Sequence, residues 1–171
     1  LPSFAEGLSR IGVTVAPSDR NRLYAVVDAG TRGGIYRSDN GGDQWTSIAD
    51  GLPSDFGFPI VVHPRKPQTV FVFPLVADIT RFPPEGMARV WRSDDAGATW
   101  TPSESGLPNH FYAAVLRDAM TADNAENVGL YFGARDGSID VSTDDGVTWR
   151  QIAAHPPDDL DRPGSGRFPA G

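Results

Sequence analysis

Apolar residues in this chain come in short runs separated by clusters of Gly, Pro, Asp, Asn and Ser, a texture that predicts strands joined by turns. Arg10-Ile11-Gly12-Val13-Thr14-Val15 reads as a first strand, residues 16–21 as a turn, and Leu23-Tyr24-Ala25-Val26-Val27 as a second strand. A short connection over 28–33 leads to a third strand at 34–37, and a fourth runs from about Trp45 to Ile48. The plan repeats with strands at 58–62 and 69–73 around a turn at 63–67, then a strand at 89–92 after a long polar connection over 76–88. It repeats again with strands at 111–116 and 128–132 around a loop at 117–127, a turn at 133–137 and a strand at 138–141. Gly7-Leu8, Gly51-Leu52 and Gly106-Leu107 open the three units.

Each third strand runs into the same turn, written S-x-D-x-G-x-T-W. The full copies are Ser93-Asp94-Asp95-Ala96-Gly97-Ala98-Thr99-Trp100 and Ser142-Thr143-Asp144-Asp145-Gly146-Val147-Thr148-Trp149. In Ser38-Asp39-Asn40-Gly41-Gly42-Asp43-Gln44-Trp45, Asn40 replaces Asp and Gln44 replaces Thr. Side-chain oxygens of Ser and Asp bond nearby backbone N–H groups, and Gly accepts the backbone angles such a turn needs. The Trp is expected to plug the core between neighbouring sheets. A period of about 50 residues, each unit holding four short strands, predicts an all-β array of about three four-stranded antiparallel propeller blades. Their expected bounds are 7–50, 51–105 and 106–154. Closed propellers have about 4–8 blades, so the chain is expected to be a partial propeller with open faces that invite self-association.

These turns resemble the Asp box, or bacterial neuraminidase repeat, of sialidases, sortilin-type receptors and many bacterial proteins of glycosyl-hydrolase type. The resemblance implies a structural role for Ser38, Asn40, Gly42, Trp45, Ser93, Asp95, Gly97, Trp100, Ser142, Asp144, Gly146 and Trp149. It also implies a sialidase-like or sortilin-type parent propeller.

Charge and composition narrow the chemistry. A net charge of −7 argues against a nucleic-acid surface. Without cysteine there is no disulfide frame and no thiolate nucleophile or metal ligand. His63, His110 and His155 fall in different loops, so neither a metal site nor a cofactor is expected. Neither a signal peptide nor a membrane anchor is visible, which leaves a cytoplasmic location and export through an upstream leader both open. Residues 155–171, rich in Pro, Gly and Asp, are expected to be a disordered tail.

Hairpin turns alternate between the two ends of a blade. The S-x-D-x-G turns share one end with the first hairpin turns, including His63, and in sialidase relatives that end faces away from substrate. The other end gathers the blade connectors at 53–56 and 108–112, the long loop at 76–88, and Arg135-Asp136. There Asp78, Glu85 and Tyr112 are the candidate catalytic residues, and Arg81, His110 and Arg135 the candidate ligand-binding ones, with Phe56 or Tyr112 as a stacking platform for a sugar. Each also has a plainer role as a loop charge, a packing ring or an ordinary turn. A sialidase needs three arginines, a Tyr–Glu pair and an Asp acid; Arg10-Ile11-Gly12 lacks the proline of the family's first arginine signature, and the full set is not present. Two expectations therefore stand side by side. One is a glycoside-hydrolase-like segment whose intact form binds or processes carbohydrate. The other is a non-catalytic scaffold for a protein partner.

Overall fold

Among the described residues, twelve short strands form because the apolar runs are cut at every few residues by turn-forming sequence, and each run is too short to bury itself as a helix. In the computed structural model, residues 10–29, 33–77 and 81–154 are described. Asp78, His155 and the tail at 155–171 lie outside the described residues. Strands Arg10–Ala16 (β1), Asp19–Asp28 (β2), Gly34–Ser38 (β3) and Thr46–Ser47 (β4) make one antiparallel sheet in chain order. Gly57–Val62 (β5), Val70–Pro74 (β6), Val90–Ser93 (β7) and Thr101–Ser103 (β8) make the second. Met120–Ala122 (β9), Leu130–Gly133 (β10), Ile139–Ser142 (β11) and Arg150–Ala153 (β12) make the third. These are consecutive propeller blades, with the first strands β1, β5 and β9 brought side by side.

One element departs from expectation. The run 111–116 is not a strand; the first strand of the third sheet is β9, inside the stretch expected as a loop. Phe111, Ala114 and Val115 are apolar because they fill the core between the second and third sheets, not because they join a ladder. Their backbone instead ties loops together: the Phe111 N–H donates to the Gly86 carbonyl (2.7 Å) and the Arg135 N–H to that of Ala114 (3.0 Å).

Two inter-sheet cores hold the array. Tyr24, Val26, Ile35 and Ile48 of the first sheet pack against Val62, Val70, Val72 and Trp100 of the second. Phe71, Phe73 and Val90 of the second pack against Leu130, Phe132 and Trp149 of the third. Each junction carries the same polar fastenings. The Trp100 indole N–H donates to the Ile48 carbonyl and that of Trp149 to Ser103 Oγ, both at 2.8 Å. Arg37 donates to the Ala96 carbonyl and Arg92 to that of Asp145, both at 2.7 Å, so the arginines before Ser38 and Ser93 grip the next sheet's turn, whereas Val141 stands before Ser142. Trp100 and Trp149 therefore wedge between sheets as expected. Trp45 differs: it is half-buried on the outer face of the first sheet, and its indole folds back to donate to its own turn at the Gly42 carbonyl (2.8 Å).

Candidate functional site

The repeated turns consume their own polar groups. Ser93 Oγ donates to Asp95 Oδ1 (2.7 Å) and accepts from the Gly97 N–H (2.7 Å), while Asp95 accepts from the Thr99 N–H (2.8 Å) and hydroxyl (2.6 Å). Ser142, Asp144, Gly146 and Thr148 repeat this network. In the first copy Asn40 accepts from the Gln44 N–H (2.9 Å), but the hydroxyl bond is gone with the threonine. His63 lies at this end as expected: buried, its Nδ1 accepts from the Arg65 and Lys66 N–H groups, and Nε2 stands 3.8 Å from the Asp145 carboxylate. Burial and the nearby Lys66 charge lower its pKa, which keeps it neutral. These groups cap turns and clasp neighbouring sheets; the buried Nε2 of His63 is left without a hydrogen-bond partner.

The turn carboxylates set an acid limit. The Thr99 bonds hold Asp95 at a pKa of about 2. Burial works to raise Asp144, but bonds from Thr148 and Ser142 outweigh it and bring it to about 2 as well. Carboxylates depressed below their unfolded value of about 3.9 contribute stability that is complete above that value and lost on acidification. The urea midpoint is therefore expected to fall between about pH 4 and 2, and Asp144→Asn to flatten that fall. A midpoint unchanged across this range would contradict the assignment. Asp140 acts in the opposite sense. It is buried in β11 with no partner for Oδ2, and desolvation, then the Asp136 charge, raises its pKa. Its contribution worsens as pH rises past the unfolded value.

The opposite end, where the sheets are connected, is more open. A cavity of about 520 Å³ runs beside β1, β5 and β9, bordered at its connector end by Arg10, Asp28, Gly57, Phe58, Arg117 and Asp118. A second recess of about 260 Å³ shares Asp28 and adds Asp55, Phe56 and Arg81. Phe56 and Phe58 meet edge to face at 5.2 Å, with the Arg81 guanidinium 5.1 Å from the Phe58 ring centre and that of Arg10 6.0 Å away. Aromatic faces flanked by guanidinium and carboxylate groups suit a polyhydroxylated ligand, whose C–H face stacks while its hydroxyls bond the rim.

The residues singled out from the sequence divide between this region and another. Arg81 joins Phe56 in the recess just described. Tyr112 and Arg135 line a separate shallow recess with Asp136, and Tyr112, 67% exposed, leans on Phe82 at 5.7 Å and covers Gly86. Glu85 sits in the turn Pro84–Gly86 and is ion-paired to Arg89 at 2.7 Å, which also contacts Glu104. His110 is exposed on the connector before Phe111. Arg10, Asp28, Phe58, Arg117 and Asp118 were not among the sequence candidates. What marks them is position: they stand at the ends of strands, or just before one, where three separate units converge. Among the described residues, no group of three or more His, Asp or Glu is placed to hold a metal ion.

No family model matches the chain. It is 29% identical over 154 residues to a xyloglucanase of Hypocrea jecorina (strain QM6a), an alignment covering 84% of this chain and 17% of the relative. Among solved structures, the GH74 xyloglucanase from Xanthomonas campestris superposes with a TM-score of 0.64 at 26% identity, over 88% of this chain and 21% of that one. YCF48 from Cyanidioschyzon merolae shares the fold, with a TM-score of 0.58 at 18% identity over 92% of this chain and 40% of that one. The chain spans less than a fifth of the length of the curated relatives it matches. Its xyloglucanase homologues are β-propeller glycosyl hydrolases.

Proposed function

We propose that this chain is a three-blade segment of a propeller that binds and processes a glycan, with a neutral xyloglucan-type β-glucan as ligand and the connector end as the face that holds it. The observation that carries this reading is the similarity to xyloglucanases along most of the chain. The mixed aromatic and charged lining around Phe56, Phe58 and Arg81 is the chemistry such a ligand requires. In this reading Phe56 stacks on a pyranose ring, while Asp28, Arg10 and Arg81 bond its hydroxyls. The S-x-D-x-G-x-T-W turns are Asp boxes in a purely structural role. The sialidase-like part of the resemblance rests on those turns alone, so xyloglucan is preferred to a sialoside. Hydrolysis belongs to the intact propeller; Asp78, Glu85 and Tyr112 stay its candidates, and Asp28, Asp55 and Asp118 join them as carboxylates beside the recesses.

Calorimetric titration of a xyloglucan oligosaccharide tests the reading. Phe56→Ala is expected to weaken binding about tenfold, the worth of about 1.4 kcal/mol of stacking, with the melting curve showing retained folding. Absence of binding to the unaltered chain at millimolar oligosaccharide would refute the glycan reading. Capture of a protein partner in its place would favour the scaffold.

A further inference from the structure

The first of the three repeated turns departs from the other two in a way that gives it chemistry of its own. Asn40 stands where Asp95 and Asp144 stand, and it is followed by Gly41, where the other copies have Ala96 and Asp145. In an Asn-Gly pair the backbone nitrogen of the glycine can attack the carbonyl carbon of the asparagine side chain, because no Cβ obstructs its approach. A C–N bond forms, the side-chain amide nitrogen leaves as ammonia, and the product is a five-membered succinimide. Water then opens the ring at one of its two carbonyls. One opening leaves an aspartate; the other leaves an isoaspartate, whose extra methylene runs in the main chain. Neither an oxidant nor an enzyme is needed.

Water reaches this pair freely, since Asn40 and Gly41 are both exposed. What restrains the reaction is hydrogen bonding. Asn40 Oδ1 accepts from Ser38 Oγ (3.0 Å) and from the Gln44 N–H (2.9 Å), which fixes the side-chain carbonyl across the turn. The Gly41 N–H donates to the Asn21 carbonyl (3.0 Å), so the attacking nitrogen keeps its proton and is tied to β2. The two reacting groups are thus held by different neighbours. The second of these bonds belongs to the fold and not to this copy alone: at the same place in the other turns the Ala96 N–H donates to the Gln68 carbonyl (2.8 Å) and the Asp145 N–H to that of Val128 (3.2 Å). Ser38 is buried and also accepts from the Gly42 N–H (2.9 Å), so one serine locks both sides of the pair.

We propose that Asn40 is a site of spontaneous deamidation gated by its own turn, shut while the bonds to Ser38, Gln44 and Asn21 hold and converted when the turn opens. An aspartate at position 40 closes the turn again with the kind of carboxylate acceptor that Asp95 supplies to the Thr99 N–H. An isoaspartate lengthens the main chain inside the turn, and the Gly41 and Gly42 N–H groups lose their register with Asn21 and Ser38. The pair thereby records how often the first turn has opened. Nothing in this depends on glycan binding.

Peptide mass spectrometry of the full 171-residue chain, incubated at mildly alkaline pH with and without guanidinium chloride, tests it. Conversion at Asn40 is expected to be at least about tenfold slower in the folded chain than in the unfolded one, as reaction through local opening requires. Ser38→Ala, with a melting curve to show that it is folded at the incubation temperature, is expected to raise the folded-state rate at least about threefold and to leave the rate in denaturant unchanged. Gly41→Ala is expected to slow conversion in denaturant, because the added Cβ hinders the nitrogen. Equal rates with and without denaturant overturn the proposal, as does no conversion in denaturant. Faster conversion in the folded chain also overturns it, since Ser38 and Gln44 would then activate the carbonyl they hold. So does an unchanged folded-state rate in Ser38→Ala. The comparison of folded with unfolded chain needs no variant, so it decides the matter even if Ser38→Ala fails to fold.

Discussion

Trp149→Ala is expected to remove about 3–5 kcal/mol of folding stability, the cost of truncating a buried aromatic side chain in a core that collapses only partly around the gap. Trp149 sits against Phe132 at 5.3 Å within the core shared by the second and third sheets, and its indole N–H is spent on buried Ser103 Oγ. The substitution thus opens a cavity and removes one of the two hydrogen bonds of the Ser103 hydroxyl, which still donates to the Gly146 carbonyl. Against a total stability of about 5–15 kcal/mol for a domain, such a loss takes most of the margin. Trp45→Ala changes the same letter in the same turn, yet is expected to cost under about 1 kcal/mol in the monomer, because that ring is half-buried and bonds only within its own turn. Urea midpoints of the two variants under monomeric conditions check the contrast. Equal losses would mean that the tryptophans act locally and not as wedges.

A similar contrast separates two glycines that the sequence presents as equals. Gly51 and Gly106 each precede a leucine and each adopt a left-handed backbone, at φ 85° and 89°. A Cβ at Gly51 meets nothing within 4 Å, so Gly51→Ala is expected to cost about 1–2 kcal/mol, the strain of that conformation alone. A Cβ at Gly106 would be driven into the backbone carbonyl of Trp149, which cannot give way as a side-chain end does. That backbone is itself engaged, its N–H donating to the Ser105 carbonyl at 2.8 Å. Gly106→Ala is therefore expected to cost at least about 2 kcal/mol more than Gly51→Ala, since the junction must open to admit the methyl group. Thermal melts of both variants decide it, and matching midpoints would contradict the packing around Trp149.

What the sequence disclosed, and what it did not, follows the distance over which each feature is encoded. The turns are legible because Ser93, Asp95, Gly97 and Thr99 satisfy one another within seven residues, and the third copy repeats the same letters. Strand order within each sheet follows the chain, each strand pairing with the next whether the connection is short or, as between β6 and β7, long. The run at 111–116 misleads because apolarity reports burial, and Phe111 and Val115 are buried without belonging to a ladder. The fate of Trp45 is invisible in a letter string, since what distinguishes it from Trp100 is the sheet on the far side. The same holds for Asp140, which occupies in the third sheet the register position of Trp91 in the second and has no partner for its buried oxygen. At the connector end, Arg81 and Phe56 were readable as loop residues of binding type. Arg10, Asp28, Phe58, Arg117 and Asp118 were not, because their meeting depends on how three sheets splay about a common axis.

The proposed function turns on which end of the blades meets the ligand. Amide and methyl chemical-shift mapping with a xyloglucan oligosaccharide reads that directly. Shifts are predicted at Arg10, Asp28, Phe56, Phe58 and Arg81, with His63, Asp95 and Asp144 unmoved. Shifts concentrated on the Asp95 and Asp144 turns, or none at all at saturating oligosaccharide, would contradict it.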